Sequence, residues 1–159
     1  MALCLIVLGL TAACETTTDP FIGETGGGGS PITQTQAAGD WSLTVIQNTA
    51  LPCTGGAIAN GSVIVAHFDV QVDGTMNATT SRWASPTGTV GPLFGTARLS
   101  DGFTDAFLSP SSGSSAAMEL RGTISPTGTF SGTLTDPAPG FSPMFSASGC
   151  QYNTSGTKA

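Results

Sequence analysis

Residues 62–73 read SVIVAHFDVQVD, and their apolar and polar side chains alternate with a period of two. This period is typical of a β-strand that buries one face. The side chains on the side predicted to be buried are those of Ile64, Ala66, Phe68, Val70 and Val72. Asp73 and Gly74 end the stretch, and an Asp-Gly pair readily adopts the positive φ angles of a tight hairpin turn. The stretch therefore predicts a strand that ends in a hairpin.

The same alternation recurs along the rest of the chain. Trp41, Leu43 and Val45 share one face of a first strand, and no ten-residue window after residue 40 has the period of an amphipathic helix. Beyond residues 62–73, the pattern predicts strands over residues 76–83, 89–99, 103–108, 117–124, 129–135 and 144–152. About eight short strands joined by turns predict an all-β domain.

An up-and-down antiparallel barrel is the preferred arrangement of these strands, and a two-sheet sandwich is the alternative. Closure removes the exposed strand edges, which a chain with only 9% charged residues protects poorly by other means. In general plan only, such a domain resembles the lipocalin-like and avidin-like barrels. Barrels of this size either fill with side chains or hold one small ligand, so the resemblance implies one of these two interiors.

A short internal repeat marks two further turns. The sequence SPTGTVG at residues 85–91 recurs as SPTGTFSG at residues 125–132. In both copies proline fixes φ and glycine supplies a left-handed position, so each copy predicts a turn that leads directly into a strand. A duplicated hairpin and the independent use of good turn chemistry both account for the repeat.

The composition argues against two classes of binding partner, nucleic acids and anionic lipid surfaces. The 159-residue chain has four basic and ten acidic residues, which give a net charge of −6. A chain of this length has room for one domain, and so few bases cannot neutralise a row of nucleic-acid phosphates or form a basic patch for anionic lipid. Because so few residues are charged, water contacts the surface mainly through hydroxyl and amide groups, which suits an extracytoplasmic protein.

The N-terminus has the features of an export signal. Residues 2–13 are uncharged and too few to cross a bilayer core of about 30 Å as a helix. Leu10-Thr11-Ala12-Ala13-Cys14 resembles the lipobox of bacterial lipoproteins. The resemblance implies that residues 1–13 are a signal peptide and that Cys14 is acylated and holds the protein to membrane lipid. Glu15 is not the Asp that commonly signals inner-membrane retention, so the same resemblance favours the outer membrane.

The segments around the predicted domain lack a strand pattern. Residues 14–39 are rich in Gly, Thr and Pro and have few apolar residues, so we predict a lipidated Cys14 followed by a flexible tether. The β-barrel-like domain is predicted over residues 40–153, and residues 154–159 are predicted to be a disordered tail.

Two cysteines remain for the domain when Cys4 leaves with the signal peptide and Cys14 is acylated. Cys53 and Cys150 are then in an oxidising compartment, and we predict a disulfide bond between them. Two buried reduced thiols or a shared metal are the alternatives, but no histidine lies near them at ligand spacing. No metal site or cofactor is therefore predicted.

The residues needed for catalysis are sparse. His67 is the single histidine, and its strand places it on the same face as Asp69. No G-x-S-x-G nucleophile motif is present, and the acids Asp69, Asp73, Glu119 and Asp136 are too scattered to nominate a pair. The glycines of residues 26–29 lack the lysine of a phosphate-binding loop. We therefore predict no catalytic residues.

Three functions remain open. The first is a lipid-anchored cell-envelope protein whose non-catalytic barrel binds a small apolar ligand or a protein partner. The second is a structural or surface-coat lipoprotein with a packed barrel, and the third, least favoured, is a cryptic hydrolase that uses His67 and Asp69.

Most aromatic residues after residue 40 fall at strand positions, where core packing is the default and lining a ligand cavity is the alternative.

Overall fold

The computed structural model describes residues 29–48, 58–110, 118–136 and 150–159. Within these residues the chain forms one short helix and eight strands. Their bounds are α1 Gln34–Ala37, β1 Gly39–Gln47, β2 Ser62–Phe68, β3 Arg82–Ala84, β4 Val90–Ala97, β5 Phe103–Leu108, β6 Met118–Ile124, β7 Thr129–Asp136 and β8 Cys150–Lys158. The predicted all-β class is confirmed.

The eight strands form a closed antiparallel barrel. Each strand pairs with the next along the chain, and β8 pairs back onto β1 from Trp41↔Lys158 to Gln47↔Tyr152. The preferred prediction, an eight-stranded up-and-down barrel, is confirmed over the two-sheet sandwich. Because β1 and β8 pair with each other, the order of the described strands closes without an unpaired edge strand.

The core lies inside this barrel. Side chains of successive strand residues point alternately inward and outward, and the inward ones are almost completely buried. Leu43 on β1 lies opposite Ile64 on β2, and Ala106 on β5 lies opposite Leu120 on β6. The largest of the buried side chains are those of Trp41, Tyr152, Phe68, Phe130, Leu43, Ile64, Leu93 and Leu108.

A segment that precedes β1 closes one end of the barrel, which we call the lower end. Residues 29–38 form this N-terminal strap, and α1 lies within it. Thr33 caps α1 through a capping box with Gln36. The backbone N–H of Ile32 donates to the carbonyl of Leu99, and the side chain of Gln34 donates to the carbonyl of Val70. The strap is thereby tied to the turns at the lower end.

The predicted tether is therefore wrong for residues 29–39. Ile32 and Ala37 are buried against the barrel core, and Gly39 already belongs to β1. The strap escaped prediction because its two buried side chains are spaced five residues apart among polar ones. The described chain packs against the core from Ile32 onward rather than from residue 40.

The predicted disordered tail is also wrong. β8 runs to Lys158, Thr154 is buried, and the N–H of Ala159 donates to the carbonyl of Asp40. The predicted strand over residues 144–152 ends too early, and its residues 144–149 lie outside the described residues. The inward positions after Tyr152 are Thr154 and Gly156, which give no apolar signal although they face the core.

The predicted return strand over residues 76–83 is shorter in the structure. Residues 78–80 form a turn in which Asn77 Oδ1 accepts from the N–H and the hydroxyl of Thr79. A strand, β3, forms only from Arg82 onward, and an isolated bridge joins Val70 to Met76. A turn is present around residues 73–74, where the N–H of Gln71 donates to the carbonyl of Thr75 at 2.8 Å, but of the predicted Asp73-Gly74 pair only Gly74 has a positive φ. The side chain of Asn77 offers the backbone a local partner, and this competes with strand pairing.

Both copies of the repeat form the predicted turns. The N–H of Ser85 donates to the carbonyl of Thr89 at 2.8 Å, and the N–H of Ser125 donates to the carbonyl of Thr129 at the same distance. The glycine of each copy has a positive φ, +89° in one and +75° in the other. The first turn joins β3 to β4 and the second joins β6 to β7, so the two turns lie at opposite ends of the barrel.

Candidate functional site

The barrel interior is the first candidate for a site, and its described part is filled. Leu43, Ile64, Leu93, Leu120 and Leu134 point inward from five strands, and each is 0% exposed. A cavity that could hold a ligand would leave accessible area on the side chains that line it. These side chains belong to one buried hydrophobic cluster in the described part of the interior.

The polar groups of the interior aromatic side chains are occupied by backbone carbonyls. The indole N–H of Trp83 donates to Ser109 at 2.8 Å, and the phenol of Tyr152 donates to Ile58 at 2.8 Å. Burial is the main cause that raises the pKa of Tyr152 above its ordinary value, so this phenol stays neutral. These groups stabilise the barrel and do not converge on a ligand.

The buried hydroxyl oxygen of Thr154 has no hydrogen-bond partner among the described residues. It belongs to an inward position of β8, between Val45 of β1 and Gly132 of β7. A hydroxyl without an adjacent base or acid is neither a nucleophile nor a metal ligand by itself. Thr154 therefore does not define a catalytic site.

His67 does not lie against Asp69 as the sequence suggests. Its Nδ1 donates to Oδ1 of Asp40 at 2.7 Å, and both side chains are about half exposed. The two residues are direct neighbours across β1 and β2. Asp69 comes after the end of β2 and accepts from Asn77 and from the hydroxyl of Thr80. The structure therefore does not bring His67 and Asp69 together.

The most charged part of the described surface surrounds Phe103 on β5. The guanidinium groups of Arg98 and Arg121 lie 5.2 and 5.8 Å from the centre of the Phe103 ring. Arg98 also donates to both carboxylate oxygens of Asp101, at 2.8 and 2.5 Å. The hydrogen bond from Arg98 is the main cause that lowers the pKa of Asp101.

Asp105 and Glu119 complete this charged cluster beside Arg121. The Nε atom of Arg121 lies 3.6 Å from Asp105 and 3.7 Å from Glu119. The buried Oδ1 atom of Asp105 has no hydrogen-bond partner among the described residues. Partial burial therefore raises the pKa of Asp105 more than the charge of Arg121 lowers it. Each arginine of the cluster already faces a carboxylate, which fits a structural network.

An exposed apolar surface covers the outside of β1 to β4. We call it the apolar face, and it consists of Ile46, Val63, Val65, Ala84 and Val90. Val65 lies opposite Ala84, and Ala84 lies opposite Val90, so these three form one continuous row across β2, β3 and β4. Ile46, Val63, Val65 and Val90 are between 45 and 60% exposed. A contiguous set of exposed apolar side chains is a candidate interaction surface.

Three of the aromatic side chains at strand positions, where core packing was the default expectation, lie on the outside of the barrel. Phe94 on β4 and Phe107 on β5 are cross-strand neighbours whose rings stack at 5.6 Å, and Phe103 contacts the two arginines. All three are half-buried. The prediction of core packing is wrong for them, since each occupies an outward position of its strand.

Beside the apolar face, the barrel surface centred on β8 is uncharged and polar. We call it the hydroxyl face; it is formed by the outward side chains of β7, β8 and the middle of β1. One row runs across three strands through Ser131, Ser155 and Thr44, and the next row on β7 and β8 pairs Thr133 with Asn153. The barrel therefore has two chemically different sides, one apolar and one rich in hydroxyl groups.

Only one of the predicted site residues lies within the described residues. Cys150 is buried at the start of β8, opposite Asp136. Cys14 and Cys53 lie outside the described residues, so the lipidation and the disulfide bond stay predictions. Within the described ranges, no three His, Cys, Asp or Glu residues come together as a metal site. The one helix found there, α1, is too short to cross a bilayer.

Comparison of the chain with protein-family models, with curated proteins and with solved structures finds no match. The apolar face is the candidate site that the sequence reasoning missed. A signal for it was present, because residues 63–66 read VIVA and are apolar on both faces of the strand. A strand with one face in water has polar residues at the outward positions that Val63 and Val65 occupy.

Proposed function

We propose that this protein is a lipid-anchored cell-envelope protein whose non-catalytic barrel binds a protein partner through the apolar face. The observation that carries this proposal is the clustering of exposed apolar side chains. Of the five large apolar side chains most exposed among the described residues, only Val72 lies away from this face. Scattered exposed apolar residues are ordinary, but a contiguous set marks an interaction surface.

The filled interior supports a protein partner over a small apolar ligand. The inward leucines of the described strands have no exposed area, and the polar atoms of Trp41, Trp83 and Tyr152 are bound to backbone carbonyls. A ligand site needs both a cavity and polar groups that point into it. The outer surface is therefore the better candidate for binding.

The environment of His67 supports a function without catalysis. Its one hydrogen bond within the described chain is to the exposed Asp40. Nucleophilic catalysis by a serine or threonine requires a hydroxyl within hydrogen-bond reach of the base. No described hydroxyl bonds to His67, and the pair lies on an open sheet surface without a cleft.

The anchor is the part of the proposal that rests on the lipobox resemblance alone. Acylation of Cys14 would attach the chain to membrane lipid, with the outer membrane favoured. Fourteen residues, 15–28, separate Cys14 from Gly29 at the start of the strap. Such a length reaches at most about 50 Å when fully extended. The strap joins the barrel at its lower end, so the connection to the anchor would enter the barrel at that end.

A disulfide bond between Cys53 and Cys150 belongs to the same proposal, since an envelope protein folds in an oxidising compartment. Cys150 is buried at the start of β8. In the chain-entropy model, a bond that closes a loop of about a hundred residues contributes up to about 4.7 kcal/mol. This contribution would offset the modest size of the barrel core.

A structural or surface-coat function is the second candidate, and the hydroxyl face favours it. This side is uncharged and hydrated over three strands, as a passive coat requires. The two functions differ in where contacts occur. A coat protein has no preferred contact side, whereas a binding protein contacts its partner through the apolar face.

Photocrosslinking in cells tests the proposed function. The full chain carries benzoylphenylalanine in place of Val65 on the apolar face or, as a matched control, in place of Ser155 on the hydroxyl face. We expect a defined light-dependent protein product from position 65 and none from position 155. Equal yields from both positions would support the coat function. Absence of any product at position 65 would contradict the binding proposal.

A further inference from the structure

We propose that the partner on the apolar face is a second copy of this chain, packed about a two-fold axis parallel to β2. The inference rests on the proposed function, since it names the occupant of the same face. It follows from the register of the strands around β2 and from the positions of two charged residues beside the apolar side chains.

The outward residues of β1, β2 and β3 form rows perpendicular to the strands. One row places Ser42, Val65 and Ala84 side by side, and the neighbouring row towards the upper end places Thr44 beside Val63. A two-fold axis along β2 brings each outward β2 residue against its own copy. Each β1 residue then faces the β3 residue of the same row. Val63 and Val65 would therefore pack against Val63 and Val65 of the second copy.

The next row towards the lower end carries the charges. Asp40, His67 and Arg82 are successive neighbours across β1, β2 and β3. Asp40 on β1 lies to one side of the axis, and Arg82 on β3 lies at the same distance in strands to the other side. The two-fold rotation therefore places Arg82 of each copy opposite Asp40 of the other. The apolar centre is then bordered by two opposite-charge contacts, as an isologous interface requires.

Arg82 is suited to this contact because it has no acidic partner among the described residues. In the described part of the chain its guanidinium donates only to the carbonyl of Ser81, at 3.1 Å. By contrast, Arg98 and Arg121 already contact carboxylates. Arg82 is exposed, and Asp40 is 64% exposed. Two copies of a chain with a net charge of −6 repel each other on average, so a face that sets base against acid is the favourable one for self-association.

The membrane anchor agrees with this symmetry. A two-fold axis parallel to β2 keeps the lower ends of both barrels on the same side, so both chains could be tethered to one membrane. Face-to-face packing is also the available mode, because the described strands close into a barrel without an edge strand to which a second copy could add.

A charge-exchange experiment tests the symmetry directly. The full chain is purified in a non-ionic detergent, and the number of chains per complex is measured by native mass spectrometry. We expect a dimer for the wild type. In a homodimer of the Arg82→Asp variant, the new acidic side chain of each copy faces Asp40 of the other, which makes two acid–acid contacts. In a homodimer of the Asp40→Arg variant, the new basic side chain of each copy faces Arg82 of the other, which makes two base–base contacts. Each variant alone should raise the dimer Kd by roughly tenfold or more.

Mixing the two variants gives the decisive measurement. One Arg82→Asp chain and one Asp40→Arg chain restore two opposite-charge contacts, so the mixed dimer should exceed both homodimers. Its formation also shows that both variants fold. Ser155→Asp on the hydroxyl face is the matched control and should leave the wild-type dimer unchanged.

A wild-type chain that stays monomeric, or a mixture without an excess of mixed dimer, would overturn the inference. If position 65 then still crosslinks to a different protein in cells, the proposed binding function stands without the dimer. If position 65 gives no crosslinked product either, both the dimer and the proposed binding function are disproved. A crosslinked product that contains two copies of this chain would support both.

Discussion

The indole N–H of Trp41 donates to the carbonyl oxygen of Ala37 at 2.9 Å. The bond joins the first inward residue of β1 to the end of α1, and both residues are fully buried. Trp41 also packs against Phe68 of β2, with ring centres 6.0 Å apart. One side chain therefore fills the lower end of the barrel and holds the N-terminal strap across it.

Trp41→Phe tests this link. The substitution keeps an aromatic ring but leaves the buried carbonyl of Ala37 without its donor, so we expect the free energy of unfolding to fall by about 1–3 kcal/mol. Urea denaturation measures the loss. Trp83→Phe is the matched control, since it removes a similar bond, to Ser109. Only Trp41→Phe should speed hydrogen exchange at the amide of Ile32. Equal exchange in both variants would contradict the link.

The packing of the strap itself is tested by Ile32→Ala. Ile32 is buried and its N–H donates to the carbonyl of Leu99 at 2.8 Å. Loss of its buried methyl groups should lower the free energy of unfolding by about 2–4 kcal/mol. Val72→Ala at an 82% exposed position is the control and should change stability by less than about 0.5 kcal/mol. A stability loss no larger than that of the control would mean that the strap does not pack on the barrel.

For some strands the sequence predicts the bounds better than the side that faces the core. β5 has the predicted bounds, and β6 matches its predicted bounds over the described residues Met118–Ile124. In β5 the inward residues are Thr104, Ala106 and Leu108, and Phe103 and Phe107 lie outward. The alternation of this strand fixes its position but not which side faces the core, because both sides carry apolar residues. Tertiary closure decides the side.

The elements that sequence misses depend on contacts between distant residues. β8 is held by pairing with β1 and β7 although Gly156 and Thr154 are weakly apolar. The strap is held by Gln34 and Gln36, whose side chains reach carbonyls 36 and 90 residues away along the chain. Local periodicity carries no information about such contacts. The apolar face was missed for a related reason, since exposure is a property of the closed barrel.

Substitutions of Asp105 and Asp101 should change the free energy of unfolding at pH 7 in opposite directions. Burial raises the pKa of Asp105, so the folded state holds its proton more tightly than the unfolded state does. Its contribution to stability therefore improves as pH falls from the raised pKa towards the ordinary value of about 3.9. Asp105→Asn should raise the free energy of unfolding at pH 7 by a few tenths of a kcal/mol, up to about 1 kcal/mol.

Asp101→Asn is the counterpart. The hydrogen bond from Arg98 lowers the pKa of Asp101, so its stabilising contribution is present above the ordinary pKa and is lost as pH falls through the lowered one. The substitution should lower the free energy of unfolding at pH 7 by about 1 kcal/mol or less, because the pair is partly exposed. Urea denaturation between pH 3 and 7 measures both variants. The same sign for both at pH 7 would contradict the assignment.

The disulfide bond is tested by the intact mass of protein recovered from the envelope. Alkylation without reductant should leave Cys53 and Cys150 unmodified, and alkylation after reduction should modify both. Cys150→Ser should also lower the free energy of unfolding by about 2–4 kcal/mol. Alkylation of both thiols without reductant would rule the bond out and leave the apolar core as the main source of stability.

Lipidation is tested at Cys14, with Cys4 as the matched control, because both cysteines lie near the N-terminus but only Cys14 ends the lipobox-like sequence. Cells grow with an alkyne-labelled fatty acid, which is detected on the purified chain. The wild type and Cys4→Ser should carry the label and lack residues 1–13, whereas Cys14→Ser should carry no label. The physical reason is that acyl chains anchor a protein through buried methylene groups, each worth about 0.8 kcal/mol. A labelled Cys14→Ser chain, or an unlabelled wild type of full-length mass, would disprove the anchor and leave the barrel without a fixed orientation at the membrane.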